Sequence, residues 1–221
     1  MLSIVVSPEL LALVPHYRGC AITAHVQNSS TSAQLWAEVE RLSADLREHY
    51  DTTTIKERDG IRETRAAYRA IGKDPSRYRP SCEQLCRRIL QGKDLYSIDT
   101  LVDLGNAVSI WSGYSTAVVD RSKLSGDTIT LGIGREGEPY EAIGRGVLNI
   151  HQLPVFRDAI GAFATPTSDS VRTECESTTT DVLLIINAYD GSVSRLQAAT
   201  DYALDLLRRF AHVEDTIIIP F

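Results

Sequence analysis

"LCRRILQGKDLYSIDTLVDLGNAVSIWSGYSTAVVD" (Leu85–Asp120) packs two helical patterns and a strand pattern into one run. Just before it, Pro80-Ser81 opens a helix, with Ser81 and Gln84 at capping-box spacing. Cys82, Leu85, Cys86 and Ile89 recur at helical spacing and predict a buried stripe that stops at Gly92. Apolar residues at Ile98, Leu101, Val102, Leu104, Val108 and Ile110 predict a second helix over Thr100–Trp111, ended by Gly113. "STAVVD" then changes the texture to short runs rich in Val, Ile and Thr, which are strand residues. Around this first helix sit Arg77, Arg79, Arg87, Arg88 and Lys93 against one acid, Glu83. They are either a grip on nucleic acid or the solvated face of an ordinary helix. At i,i+4 spacing, Glu83 and Arg87 would form a surface pair of about 0.2–0.5 kcal/mol.

Upstream, Leu2–Val6 and Gly19–Gln27 predict strands. Thr31 and Gln34 predict a capping box before a helix that lines up Leu35, Val39, Leu42 and Leu46. A second helix is expected through "TIKERDGIRETRAAYRAIG", weakened at Gly60 and stopped at Gly72. Downstream, "DTITLGIG", "EPYEAIG", "RGVLNI", "AIGAFAT" and "DVLLIINAYD" predict strands, "SVSRLQAATDYALDLLRRFA" a long amphipathic helix, and "TIIIP" a last strand. The sum is an α+β fold: a layered domain with a mixed or antiparallel sheet and several helices. One domain over 1–221 is expected, with N-terminal strands and helices over 1–72, a core over 73–190, and a closing helix and strand over 191–221.

The chain has 221 residues and a net charge of −6, with 43% hydrophobic and 24% charged residues. That composition is globular and excludes disordered and fibrous classes. The acidic balance argues against a protein that coats nucleic acid, though not against a local basic patch. Four cysteines without a Cys-x-x-Cys pair, and five scattered histidines, give no metal-site pattern, so no metal and no cofactor is expected. No basic leader precedes the apolar opening run, which Pro8 and Pro15 interrupt, and no stretch nears the ~20 apolar residues of a membrane span. A reducing, cytoplasmic setting without a membrane partner is the expectation. "GIGREG" (Gly132–Gly137) has the letters of a dinucleotide loop, but Pro139 and a strand-like run follow where a helix should open, so it predicts a hairpin turn.

Taken as one unit, Leu85–Asp120 resembles the B3/B4 domain of the phenylalanyl-tRNA synthetase beta subunit. Leu85, Arg87 and Arg88 stand where that domain has a Leu-x-Arg-Arg-Leu helix. Val102, Asp103 and Asn106 fit its Val-Asp-x-x-Asn, and Gly113 and Asp120 keep its spacing from Asn106. "SGDTITL", "GE" at Gly137–Glu138, "TSDSV" and "TTTDVLLI" follow in the family's order, so the likeness spans roughly Gly72–Asp190. The resemblance implies a similar fold free of a synthetase, a tRNA or aminoacyl-tRNA partner, and hydrolytic editing of the aminoacyl ester. The alternative is a non-catalytic module on the same fold that binds a free amino acid.

This sequence departs from the family at telling places. Its histidine position is Ala117, its Gln and Pro positions are Tyr114 and Ser115, and the glutamate that would accept a tyrosine hydroxyl falls among Ile185, Ile186 and Asn187. Ester hydrolysis by a positioned water needs no side-chain base, because the ester is already activated. Asn106, whose amide is both donor and acceptor, is the first candidate to face a ligand; a buried helix amide is the other reading. Asp120 is a ligand group or a turn carboxylate. The polar stretch Thr165–Asp181 supplies Thr165, Ser168, Asp169 and Ser170 as pocket residues, with Asp169 a partner for a substrate amino group or an Asx-turn. Arg77, Arg79, Arg87 and Arg88 are the weaker candidates for phosphate contact. No catalytic residue is identified.

Overall fold

The computed structural model describes residues 2–221. In chain order the first half holds β1 (Ser3–Val6), α1 (Pro8–Leu13), β2 (Arg18–His25), α2 (Ala33–His49), α3 (Ile61–Ile71), α4 (Ser81–Leu90) and α5 (Thr100–Ser112). The second half holds β3 (Ser115–Asp120), β4 (Thr128–Ile133), β5 (Glu141–Ala142), β6 (Gly146–Val147), β7 (Pro154–Arg157), β8 (Ala162–Ala164), β9 (Asp181–Ala188), α6 (Val193–Phe210) and β10 (Thr216–Pro220).

The architecture grows from β9, the most continuous apolar run in the chain. It lies inside an antiparallel sheet of order β10-β2-β9-β3. Alternation sends Val182, Leu184 and Ile186 to one face and Leu183 and Ile185 to the other. Both faces are covered, which is why the strand is apolar throughout. Helices α2, α4, α5 and α6 pack on the first face through Leu35, Leu42, Cys82, Ile89, Leu104, Val108, Ala203 and Leu207. The second face meets another sheet, of order β1-β4-β7-β8, through Ile129, Leu131, Phe156 and Phe163. There β1 runs parallel to β4, while β4–β7 and β7–β8 are antiparallel. The result is a helix layer, a sheet and a second sheet, an α+β fold with mixed and antiparallel pairing. No helix of the described residues is long and apolar enough to cross a membrane.

Several expectations need correction. The cap of α2 is Ser32, whose Oγ accepts the Leu35 N–H at 3.2 Å, while the Thr31 hydroxyl donates to Asp103 instead. Helix α4 has no side-chain cap; Pro80 fills that position, and the Gln84 amide donates to the carbonyls of Arg79 and Thr167. Gly60 does not weaken a helix interior: it begins α3 at φ 82°, and its N–H donates to Glu63 at 2.6 Å. The six-residue α1 and the short β7 have too few residues to show a period, and neither is evident in the sequence. "GIGREG" does form a turn, but β4 pairs with β7 and the β5–β6 hairpin is inserted between them.

Glu83 departs most from its surface reading. Its side chain is 0% exposed and binds Arg65 Nη1 at 2.8 Å and Arg87 Nε at 2.7 Å. Arg87 also donates to the Thr52 carbonyl at 2.7 Å, and Arg65 to that of Pro75 at 3.2 Å. The two arginines therefore lock α3, α4 and the loop after α2 around one buried carboxylate. Arg87 is thus engaged as an internal strut. Arg88 donates to the Asp94 carbonyl at 2.7 Å and lies over the Tyr96 ring, tethering the loop that follows. Arg77 and Arg79 remain exposed.

Candidate functional site

Strand β3 is the edge of its sheet, and an edge strand presents unpaired peptide groups. Here side chains take them. Val118 N–H donates to Asp169 Oδ2 at 3.4 Å, Cys175 Sγ lies 3.7 Å from the Val118 carbonyl, and Thr116 N–H donates to Ser109 Oγ at 3.2 Å. Helix α5 crosses this edge at its least bulky point. A Cβ on Gly105 would lie 2.4 Å from Val118 Cγ2, so glycine is what permits the approach. Gly105→Ala is expected to destabilise the fold by about 1–3 kcal/mol, the usual effect of overpacking, read as a lower urea midpoint at unchanged m-value.

Between α5, the β3 edge and the 169–175 loop lies a cavity of about 110 Å³. Helix α5 contributes Val102, Gly105 and Asn106, β3 contributes Thr116 and Val118, and the loop contributes Asp169, Glu174 and Cys175. Ile98 and Ile143 complete the wall. Asp103 places Ile98: its carboxylate accepts the Ile98 N–H at 3.3 Å and the Ser97 hydroxyl at 2.9 Å. The hairpin that carries Ile143 is held by its N–H, which donates to the Asp169 carbonyl at 3.0 Å.

The cavity's polar groups have bonding capacity left over. Among the described residues, the Asn106 amide has no protein partner and Asp169 accepts only the Val118 amide. Thr116 Oγ1 is buried with no partner at all. Burial without a cation pushes the Asp169 carboxyl up to about 7, and the Val118 amide offsets this only in part. A carboxylate in that condition is matched by a small cation or a strong donor.

The other candidates turn their side chains elsewhere. Asp120 accepts Ser122 N–H and Oγ on one oxygen and Thr179 Oγ1 on the other. Burial pushes its carboxyl up, but those bonds and the charge of Lys123 outweigh it and hold the group low. Thr165 Oγ1 closes a turn with Thr167 N–H and Ser168 N–H and donates to the Ser168 carbonyl. Ser170 caps the short turn at Val171–Thr173. Ser168 accepts the Tyr140 hydroxyl on its carbonyl. These residues shape the loop that delivers Asp169.

Ala117 faces the core between the sheets, so β3 offers Thr116 and Val118 to the cavity and not position 117. Tyr114 reaches away to Asp190, and Ser115 to Cys82 Sγ. Ile185 and Ile186 are core, and Asn187 is held by the Tyr17 hydroxyl at 2.9 Å and the Ser115 carbonyl at 3.0 Å. The acids at the cavity are Asp169 and Glu174. Sequence reasoning missed Thr116, Glu174 and Cys175. The alternation of β3 and the polarity of the 165–181 stretch were the only signals for them.

A larger cleft, about 420 Å³, lies at the far end of α5 beside Arg58, Trp111 and Arg195. Its cations are already engaged: Arg195 with Asp190 at 2.9 Å and Asp59 at 3.2 Å, and Arg58 with the Trp111 carbonyl at 2.7 Å.

The model of the B3/4 domain family matches residues 63–216. The chain belongs to the B3/4 domain family. The match starts inside α3 and runs to the first residue of β10, so the whole cavity lies within the B3/4 region. Over its entire length the fold is similar to an N-terminal fragment of the phenylalanyl-tRNA synthetase beta-subunit from Pyrococcus horikoshii. That match has a TM-score of 0.51 and 10% identity, and covers 99% of this chain and 50% of that one. This B3/4 protein thus spans half the length of the fragment it resembles. No curated protein sequence matches it.

Proposed function

We propose that the cavity is an aminoacyl site and that the protein acts on the charged end of a tRNA, hydrolysing the aminoacyl ester. One observation carries this reading: Asn106 and Asp169, from distant parts of the chain, meet in one cavity with hydrogen-bonding capacity unfilled. Asp169 pairs with the substrate's α-ammonium, and the Asn106 amide orients the ester. The ester is already activated, so holding a water in attack geometry contributes most of the rate. Membership of the B3/4 family and the likeness to the synthetase fragment support a tRNA-related partner.

A basic edge supports the same direction of approach. The hairpin that brings Ile143 to the cavity carries exposed Arg145, which donates to Gln84; Gln84 in turn donates to the Arg79 carbonyl at 2.6 Å. Gln84 thus joins Arg145 to the Arg79 backbone, with exposed Arg77 two residues before it, a set suited to phosphates of an acceptor stem. An Arg77→Ala/Arg145→Ala double variant is expected to fold normally and to flatten the slope of log affinity against log salt by about 1.5–2, measured by tRNA titration at several salt concentrations.

The direct test incubates the protein with tRNAs charged with a panel of amino acids and follows ester loss. Loss from at least one pair, abolished in Asn106→Ala, is the expected result. No histidine lines the cavity, which favours a second reading, a module that binds an amino acid without cleaving its ester. Ligand binding with intact esters throughout the panel would select it.

A further inference from the structure

We propose that the cavity is shaped for a small β-hydroxy amino acid, serine or threonine, and excludes aromatic side chains. The inference rests on the aminoacyl reading above and adds the selectivity of that site.

Volume limits the ligand first. An apolar cavity of about 150 Å³ is what accepts a benzene ring. This one holds about 110 Å³ and must also take the α-carbon and ammonium group. The walls that set the limit are stiff. Gly105 already lies against Val118, whose peptide is held on both sides by Asp169 and Cys175. Val102 and Ile143 are β-branched, with few rotamers to yield space.

Polarity limits it second. A buried hydroxyl without a partner is unfavourable, and native structures contain few. Thr116 Oγ1 is one, and Thr116 stands on the cavity wall. A ligand hydroxyl both donates and accepts, so it is the partner this oxygen lacks, and the Asn106 amide lines the same cavity. An alanyl group would fit but leave Thr116 unpaired. A tyrosyl group would carry its hydroxyl on a ring that does not fit.

The test uses stable amide analogues, 3′-aminoacylamino-3′-deoxyadenosines bearing seryl, threonyl, alanyl or tyrosyl groups, titrated calorimetrically into the intact chain. The seryl or threonyl analogue is expected to bind at least tenfold more tightly than the alanyl one, and the tyrosyl analogue most weakly. Thr116→Val keeps the shape and removes the hydroxyl; it should abolish the preference for the seryl over the alanyl analogue. Equal seryl and alanyl affinities, a tyrosyl preference, or an indifferent Thr116→Val would each overturn the selectivity while leaving the aminoacyl site standing. Binding of none of the four analogues would overturn the aminoacyl site, and the selectivity with it.

Discussion

Glu83→Ala should lower the stability of the fold by about 3–5 kcal/mol, the typical result of removing one partner from a buried charge cluster. Glu83 has no exposed side-chain surface, and Arg65 has little (9%). Deleting the carboxylate leaves the Arg65 guanidinium without an anion and with the Pro75 carbonyl and Ser76 hydroxyl as its remaining partners. It also frees Arg87 from α4, although Arg87 is 20% exposed and can regain water. Domains of this kind have about 5–15 kcal/mol in total, so the loss is a large share of the whole. Urea unfolding followed by circular dichroism would show it as a shifted midpoint. Arg87→Ala should follow in the same direction with a smaller loss, since its charge is not trapped. A shift worth less than about 0.5 kcal/mol for Glu83→Ala, the size of a surface substitution, would mean that the cluster is hydrated.

Asp169→Asn should weaken binding of an ammonium-bearing ligand by roughly ten- to a hundredfold, the range of a charge-assisted hydrogen bond. The asparagine can still accept the Val118 N–H, so the fold should survive. The effect should depend on pH. With its carboxyl at about 7 against an ordinary 3.8, the folded chain holds a proton between those values that the unfolded chain has released. Stability contributed by this group is therefore fully present below about pH 4 and is lost as pH rises through 7. Ligand affinity runs the other way, because the ammonium needs the ionised form. It should rise about tenfold per pH unit up to 7, then fall above about 8 as the ligand's α-amino group loses its proton. Asp169→Asn should remove the rising limb. Calorimetric titrations from pH 5.5 to 9 would decide it, and an unchanged rising limb in the variant would assign the titration to another group.

The sequence was most legible where local pattern and burial coincide. The Thr100–Trp111 periodicity gives α5 almost residue for residue, and "STAVVD" is β3 itself. Asn106 and Asp169 were visible as chemistry in a helix and in a polar loop. Their meeting depends on Gly105 allowing α5 onto the edge of β3, a tertiary fact. Thr165, Ser168 and Ser170 were indistinguishable from Asp169 by composition, because small polar residues build turns and sites alike. Glu83 looked like half of a helix-surface pair; its second partner, Arg65, comes from another helix, and that converts a solvated pair into a buried one. Ala117 illustrates the period of a strand: one residue to either side faces the cavity and it does not.

The clamp on Val118 has a practical consequence. Its N–H ends on the one carboxylate that a ligand would claim, so this single amide sits in series with the binding event. When an ammonium group draws Asp169 toward itself, the proton of that amide should change its resonance and its rate of exchange with deuterium, while the β9-paired amides of the same strand stay slow. Strand β3 thus carries a reporter of occupancy in its own backbone.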